Sequence, residues 1–84
     1  MRIHDLKIAP PYYAAVVSGD KTFEVRYNDR DYQVGDILNL NEYLAGNFTG
    51  RGITKQITYM LDDADYCKEG FIILALADIE EAHS

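Results

Sequence analysis

In Lys21-Thr22-Phe23-Glu24-Val25-Arg26-Tyr27, polar and apolar residues alternate from Thr22 to Tyr27. Thr22, Glu24 and Arg26 share one parity and Phe23, Val25 and Tyr27 the other, so the segment reads as a β-strand with two different faces. The apolar parity is expected to pack in the core and the polar parity to line one concave surface. Upstream, Ala9-Pro10-Pro11 and Tyr12 to Ser18 read as a short helix. Proline is tolerated in a first turn, Tyr13, Val16 and Val17 fall on one face, and Gly19 supplies a left-handed stop. Before it, Met1 to Lys7 reads as a half-buried strand.

Downstream, Asn28-Asp29-Arg30-Asp31 is dense in turn formers and Val34-Gly35-Asp36 is a second break, with Ile37 to Leu44 as the next strand. Gly46, Gly50 and Gly52 punctuate a connection to a strand over Ile53 to Leu61, which predicts a hairpin whose loop is longer than two residues. In that strand Ile53, Ile57, Tyr59 and Leu61 share one parity. Asp62 to Gly70 reads as a polar, acidic loop. Phe71 to Leu76 is apolar on both parities and is expected to lie centrally in a sheet. The tail from Glu80 is expected to fray.

The chain has 84 residues, 48% hydrophobic and 26% charged, which describes one globular domain over residues 1–84. Five short strands with one helix after the first predict an α+β, mainly β fold, a small partly closed β-barrel. Cys67 stands alone, so no internal disulfide is available to staple the core. Together with the lack of a basic start followed by an apolar stretch, this predicts a reducing, cytoplasmic setting. The apolar run Phe71 to Ala77 is far shorter than the roughly 18 residues of a membrane-spanning helix, so no membrane is expected.

The net charge of −6 excludes salt-driven coating of the surface by nucleic acid. Its distribution is uneven, however. Arg2, Lys7, Lys21, Arg26 and Arg30 outnumber Asp5, Asp20, Glu24 and Asp29 in the first thirty residues, whereas Lys68 alone faces Asp62, Asp63, Asp65, Glu69, Asp78, Glu80 and Glu81 in the last third. A local basic pocket in the first third is compatible with that pattern. Neither a phosphate-binding nor a dinucleotide-binding glycine loop is present, and the zinc and serine-hydrolase signatures are missing too, so no cofactor is implied. His4, His83 and Cys67 make a poor metal set, and no metal site is expected.

Glu24 and Arg26 lie two apart on one strand face, with Thr22 below them and Lys21 where the chain leaves the helix. Both charge signs inside a small barrel are costly unless paired, so this row is either a satisfied ion pair or a ligand site. The spacing G-x-K-x-x-E-x-R, filled by Gly19, Lys21, Glu24 and Arg26, resembles the signature of ASCH domains (activating-signal-cointegrator homology), a branch of the PUA-like superfamily. The preceding helix, Val34-Gly35-Asp36-Ile37-Leu38 and the closing apolar strand agree with it. His4-Asp5-Leu6-Lys7-Ile8 with Asn28-Asp29-Arg30 is similar to a short phage and bacterial branch of unassigned function.

The resemblance implies a PUA-like β-barrel with a cleft that binds RNA or a nucleotide, lined by Lys21, Thr22, Glu24, Arg26 and Arg30. In that role Arg26 offers a planar fork to a phosphate or a base edge, Lys21 a mobile charge, and Glu24 an acceptor. Some small relatives of ASCH domains are amidohydrolases on acylated cytidine, with a threonine nucleophile at the position held here by Glu24. A carboxylate does not replace that hydroxyl, which leaves hydrolysis of an N4-acylated cytidine-type nucleoside as the alternative, and a phage-type protein-interaction module as the third reading.

Overall fold

The computed structural model describes residues 1–79. Strand β1 (Ile3–Ile8) leads into helix α1 (Pro10–Ser18), and four strands follow: β2 (Phe23–Tyr27), β3 (Ile37–Leu44), β4 (Asn47–Leu61) and β5 (Phe71–Ala77). The helix begins at a proline and stops at Gly19, whose φ of 87° lets its N–H reach the Val16 carbonyl at 3.2 Å. Val16 is buried and Tyr13 half-buried, but Val17 is exposed, so the helix meets the sheet on a narrower stripe than its sequence suggests. His83 and the tail from Glu80 lie outside the described residues.

The strands form one sheet in the order β1-β3-β4-β5-β2. β1 runs parallel to β3, and the other pairs are antiparallel. The sheet curls into a half-barrel, so the expected mainly β fold with one helix after the first strand is what forms. β5 is paired on both sides, as its two apolar faces predict. Its interior side, Ile72 and Leu74, joins Leu6, Ile8, Val16, Tyr32, Leu38, Leu40 and Ile57 in the core. No described helix is long and apolar enough to cross a membrane.

Three sequence expectations are corrected. The β3–β4 hairpin turns through only two residues, Ala45 and Gly46, with φ of 51° and 87°. Positive φ at both central positions matches the twist of a tight hairpin. Gly50 and Gly52 therefore lie inside β4 rather than in a connection. Gly50, with φ of 92°, falls in a bulge opposite Glu42. A Cβ on Gly52 would come within 3.0 Å of Asn41 Oδ1 and 3.2 Å of the Leu40 carbonyl, so a side chain there would have to displace Asn41 and press on the β3 backbone.

The second correction concerns β2, where Phe23, Val25 and Tyr27 are exposed while Glu24 is buried and Arg26 half-buried. Of the polar parity, Glu24 and Arg26 turn into the concave side while Thr22 stays exposed ahead of the strand, and the apolar parity points outward instead of into the core. A strand has two faces, and once Glu24 and Arg26 occupy the inner one, their neighbours are left outside.

The third correction is Tyr59. A register shift between Ile57 and Tyr59 against β5 places Thr58 as the extra residue, so the inward parity passes from Ile57 to Met60 and Tyr59 is turned out.

Candidate ligand-binding site

The two edge strands of the half-barrel, β1 and β2, are not hydrogen-bonded to each other along their length. Side chains span the opening. Arg26 donates to the Lys7 carbonyl at 2.8 Å, and Arg30 to the Asp5 carbonyl at 3.2 Å. The two carbonyls lie on alternate residues of β1, where a neighbouring strand would otherwise pair. A cleft of about 750 Å³ opens beside this seam, walled by Ile8 and Ala9, by Tyr12 and Ala15 of α1, and by Phe23 to Arg26 of β2.

At its base Glu24 is 3% exposed, and each of its carboxylate oxygens is held by a different cation. Lys21 Nζ donates to Oε1. Arg26 Nε donates to Oε2 at 2.9 Å, with Nη2 at 2.8 Å from the same atom. Lys21 also donates to the Phe23 carbonyl at 2.8 Å. Such a carboxylate is tolerable away from water only because its charge is met on both oxygens. Two cations against one anion leave the group with one excess positive charge, with Lys7 and Asp20 also on the cleft wall. Arg26 Nη1 makes no hydrogen bond among the described residues. Lys21 Nζ lies 5.7 Å from the Tyr12 ring centre and 5.1 Å from that of Phe23, so two aromatic rings flank the charge at the mouth.

Lys21, Glu24 and Arg26 are thus brought together as their spacing predicts. Thr22 and Arg30 are not. Thr22 is exposed ahead of β2, and its carbonyl accepts from the Leu76 N–H at 2.9 Å. The guanidinium of Arg30 is turned to β1 and lies 3.8 Å from Asp29. Neither lines the cleft. Lys7, Tyr12 and Phe23 do line it and were not anticipated, because a helix residue and a strand edge meet there only through the fold.

Two more buried acids went unread in the sequence. Glu42 accepts from Thr49 Oγ1 at 2.7 Å and from Arg51 Nε and Nη2 at 2.9 and 3.0 Å. The Thr49 hydrogen bond, followed by the Arg51 interactions, holds its carboxyl below the usual range against the opposing effect of burial. Asp36 accepts from the backbone N–H groups of Arg2 at 3.0 Å and Gln33 at 3.1 Å, and pairs with His4 Nε2 at 2.8 Å. Burial pushes its pKa up, but these bonds prevail and bring it to about 2. Both acids had a legible signal in their position among core residues. Glu42 shares the parity of Leu38 and Leu40, and Asp36 directly precedes the buried run Ile37-Leu38.

Tyr32 packs its ring against His4, with centroids 4.7 Å apart. Burial raises its hydroxyl pKa, and the charges of Arg26 and Arg30 oppose that rise. Among the described residues no group of three or more His, Cys, Asp or Glu side chains is placed to hold a metal ion.

Sequence comparison adds a family and a relative. Residues 3–76 match the model of a family described as a domain of unknown function, DUF3850. Over 73 residues the chain is 38% identical to an uncharacterized 12.9 kDa protein in the GpA 3' region of Escherichia phage P2, a match covering 87% of this chain and 66% of that protein. The chain therefore spans slightly less than two thirds of this relative. With the family model matched from the start of β1 into β5, the chain belongs to the DUF3850 family.

Proposed function

We propose that the seam cleft binds a nucleotide-sized ligand or a short single strand of RNA. The observation that carries this reading is the Lys21–Glu24–Arg26 cluster, a buried carboxylate holding two cations at the base of a cleft with aromatic rings at its mouth. Excess positive charge meets phosphate, and the Tyr12 and Phe23 rings offer a surface on which a base can stack. The resemblance of G-x-K-x-x-E-x-R to ASCH domains supports the same reading. Glu24 acts here as the group that orders both cations, because its two oxygens are already engaged. Hydrolysis of an acylated nucleoside finds less support, since Thr22 does not line the cleft.

The test is titration of short RNA oligonucleotides and free nucleotides with the folded protein. Binding is expected to be weak and to fall with salt by a slope of about 2 to 3, set by the few cations within reach of a phosphate backbone. Arg26→Ala is expected to weaken it by about tenfold or more, a loss of about 1.4 kcal/mol. Absence of binding at low salt by protein shown to be folded would count against the reading.

A further inference from the structure

The outward face of β2, β5 and the end of β4 forms a second surface, which meets the rim of the cleft at Phe23 and Val25 and extends away from it through Tyr27, Phe71, Ile73, Leu61 and Tyr59. Strand register places Phe23 beside Ala75 and Ala75 beside Tyr59, then Val25 beside Ile73 and Ile73 beside Leu61, and finally Tyr27 beside Phe71. All eight side chains are apolar or aromatic. Phe23, Val25, Tyr27 and Tyr59 are 44%, 51%, 58% and 63% exposed, and among the described residues no element packs over them. The patch is ordered rather than loose: Tyr27 meets Phe71 edge to face at 5.5 Å and lies against Gly70, where a Cβ would approach its ring to 2.5 Å. A contiguous apolar face of this kind on a small domain marks a docking surface.

Its border identifies the occupant. The connection from β4 to β5 leaves the patch at Leu61 and returns at Phe71, carrying Asp62, Asp63, Asp65 and Glu69 against Lys68 alone. An apolar face bordered by acids at one end complements apolar knobs accompanied by cations. It repels nucleic acid, and a second copy of a chain of net charge −6 brings the same acidic loop and the same overall sign. We propose that this outer face docks a cationic amphipathic segment of a partner protein, its apolar side chains resting on the rows of Tyr59, Ile73 and Phe71 and its Lys or Arg side chains over the 62–69 loop. The rows that take the segment, Tyr59, Ile73 and Phe71, lie outside the lining of the cleft.

The probe is a synthetic 18-residue Leu/Lys peptide with one apolar helical face, compared with a Leu/Glu peptide of the same pattern and a scrambled Leu/Lys peptide. The Leu/Lys amphipathic peptide is expected to bind and to shift the backbone amide signals of residues 59, 61, 71, 73 and 75 in heteronuclear NMR. Tyr59→Thr should weaken binding by about tenfold, and Tyr59→Thr with Ile73→Thr further; Tyr59 is exposed and does not line the cleft, so the single variant keeps the fold. Asp62→Asn with Glu69→Gln should weaken it by about threefold and reduce its salt dependence. Equal binding of the Leu/Glu or scrambled peptide, or shifts centred on Lys21 and Arg26, would overturn the proposal. So would sedimentation showing a dimer that Tyr59→Thr dissociates, because the occupant would then be a second copy of this chain.

Discussion

Glu24 is the residue on which the seam depends, since Lys21 takes one carboxylate oxygen and Arg26 the other, while Arg26 also reaches across to the Lys7 carbonyl. Removing the charge leaves two cations side by side and frees the guanidinium that joins β2 to β1. Glu24→Gln is therefore expected to lower stability by about 1–3 kcal/mol, read as a shift in the urea midpoint, and to weaken ligand binding in the same variant. Lys21 and Arg26 are both partly open to solvent, which keeps the cost below that of a fully enclosed pair. An unchanged midpoint would mean that the cations rehydrate freely and that the trio does not hold the seam. Asp36 acts in a comparable way at the start of β1, where its carboxylate fixes the Arg2 and Gln33 amides and the His4 ring.

At the scale of elements, the tight hairpin and the two bulges decide which side chains reach the interior. Ala45-Gly46 sets the β3–β4 register, the bulge around Gly50 turns Thr49 and Arg51 onto Glu42, and the irregularity at Thr58 exchanges the faces of β4. Gly46 has φ of 87° and open space around its missing Cβ, so substitution meets backbone strain without a steric clash. Gly46→Ala is expected to cost about 1 kcal/mol, and Gly46→Val more, because a β-branched residue tolerates the left-handed region least. Thermal unfolding of the two variants checks this order; equal midpoints for both and the wild type would remove the hairpin from the register argument.

For the whole molecule, acid should be the condition that loosens the fold. Asp36 and Glu42 both have carboxyl groups depressed in the folded state, Asp36 to about 2. A depressed carboxylate contributes fully above its unfolded value of about 4 and loses that contribution as pH falls toward the folded value. Stability from these groups is therefore expected to stay level above about pH 5 and to fall between about pH 4 and pH 2. Asp36→Asn should be less stable than wild type at pH 7 by about 1–3 kcal/mol, with the difference narrowing toward pH 2, where the native carboxylate is itself becoming protonated. Urea titrations across that range read both limbs. A constant difference at every pH would show that the charge of Asp36 does not contribute.

The elements themselves were legible from local chemistry. Proline at the start and Gly19 at the end delimit α1, alternation marks β2, and a run apolar on both parities makes β5 a strand paired on each side. The G-x-K-x-x-E-x-R spacing likewise brought Lys21, Glu24 and Arg26 into one cluster, because residues two apart on a strand share a face and the helix end delivers Lys21 beside them. What alternation leaves open is which of two faces points inward. The tertiary structure chose the polar face of β2, since Glu24 and Arg26 satisfy each other there and Arg26 spans the unpaired edge of β1. Phe23, Val25 and Tyr27 were left outside as a consequence. Only closure of the curled sheet put Lys7 and Tyr12 on the same cleft and took Thr22 and Arg30 away from it, as the distance between residues of different elements is fixed by packing and not by their order in the chain.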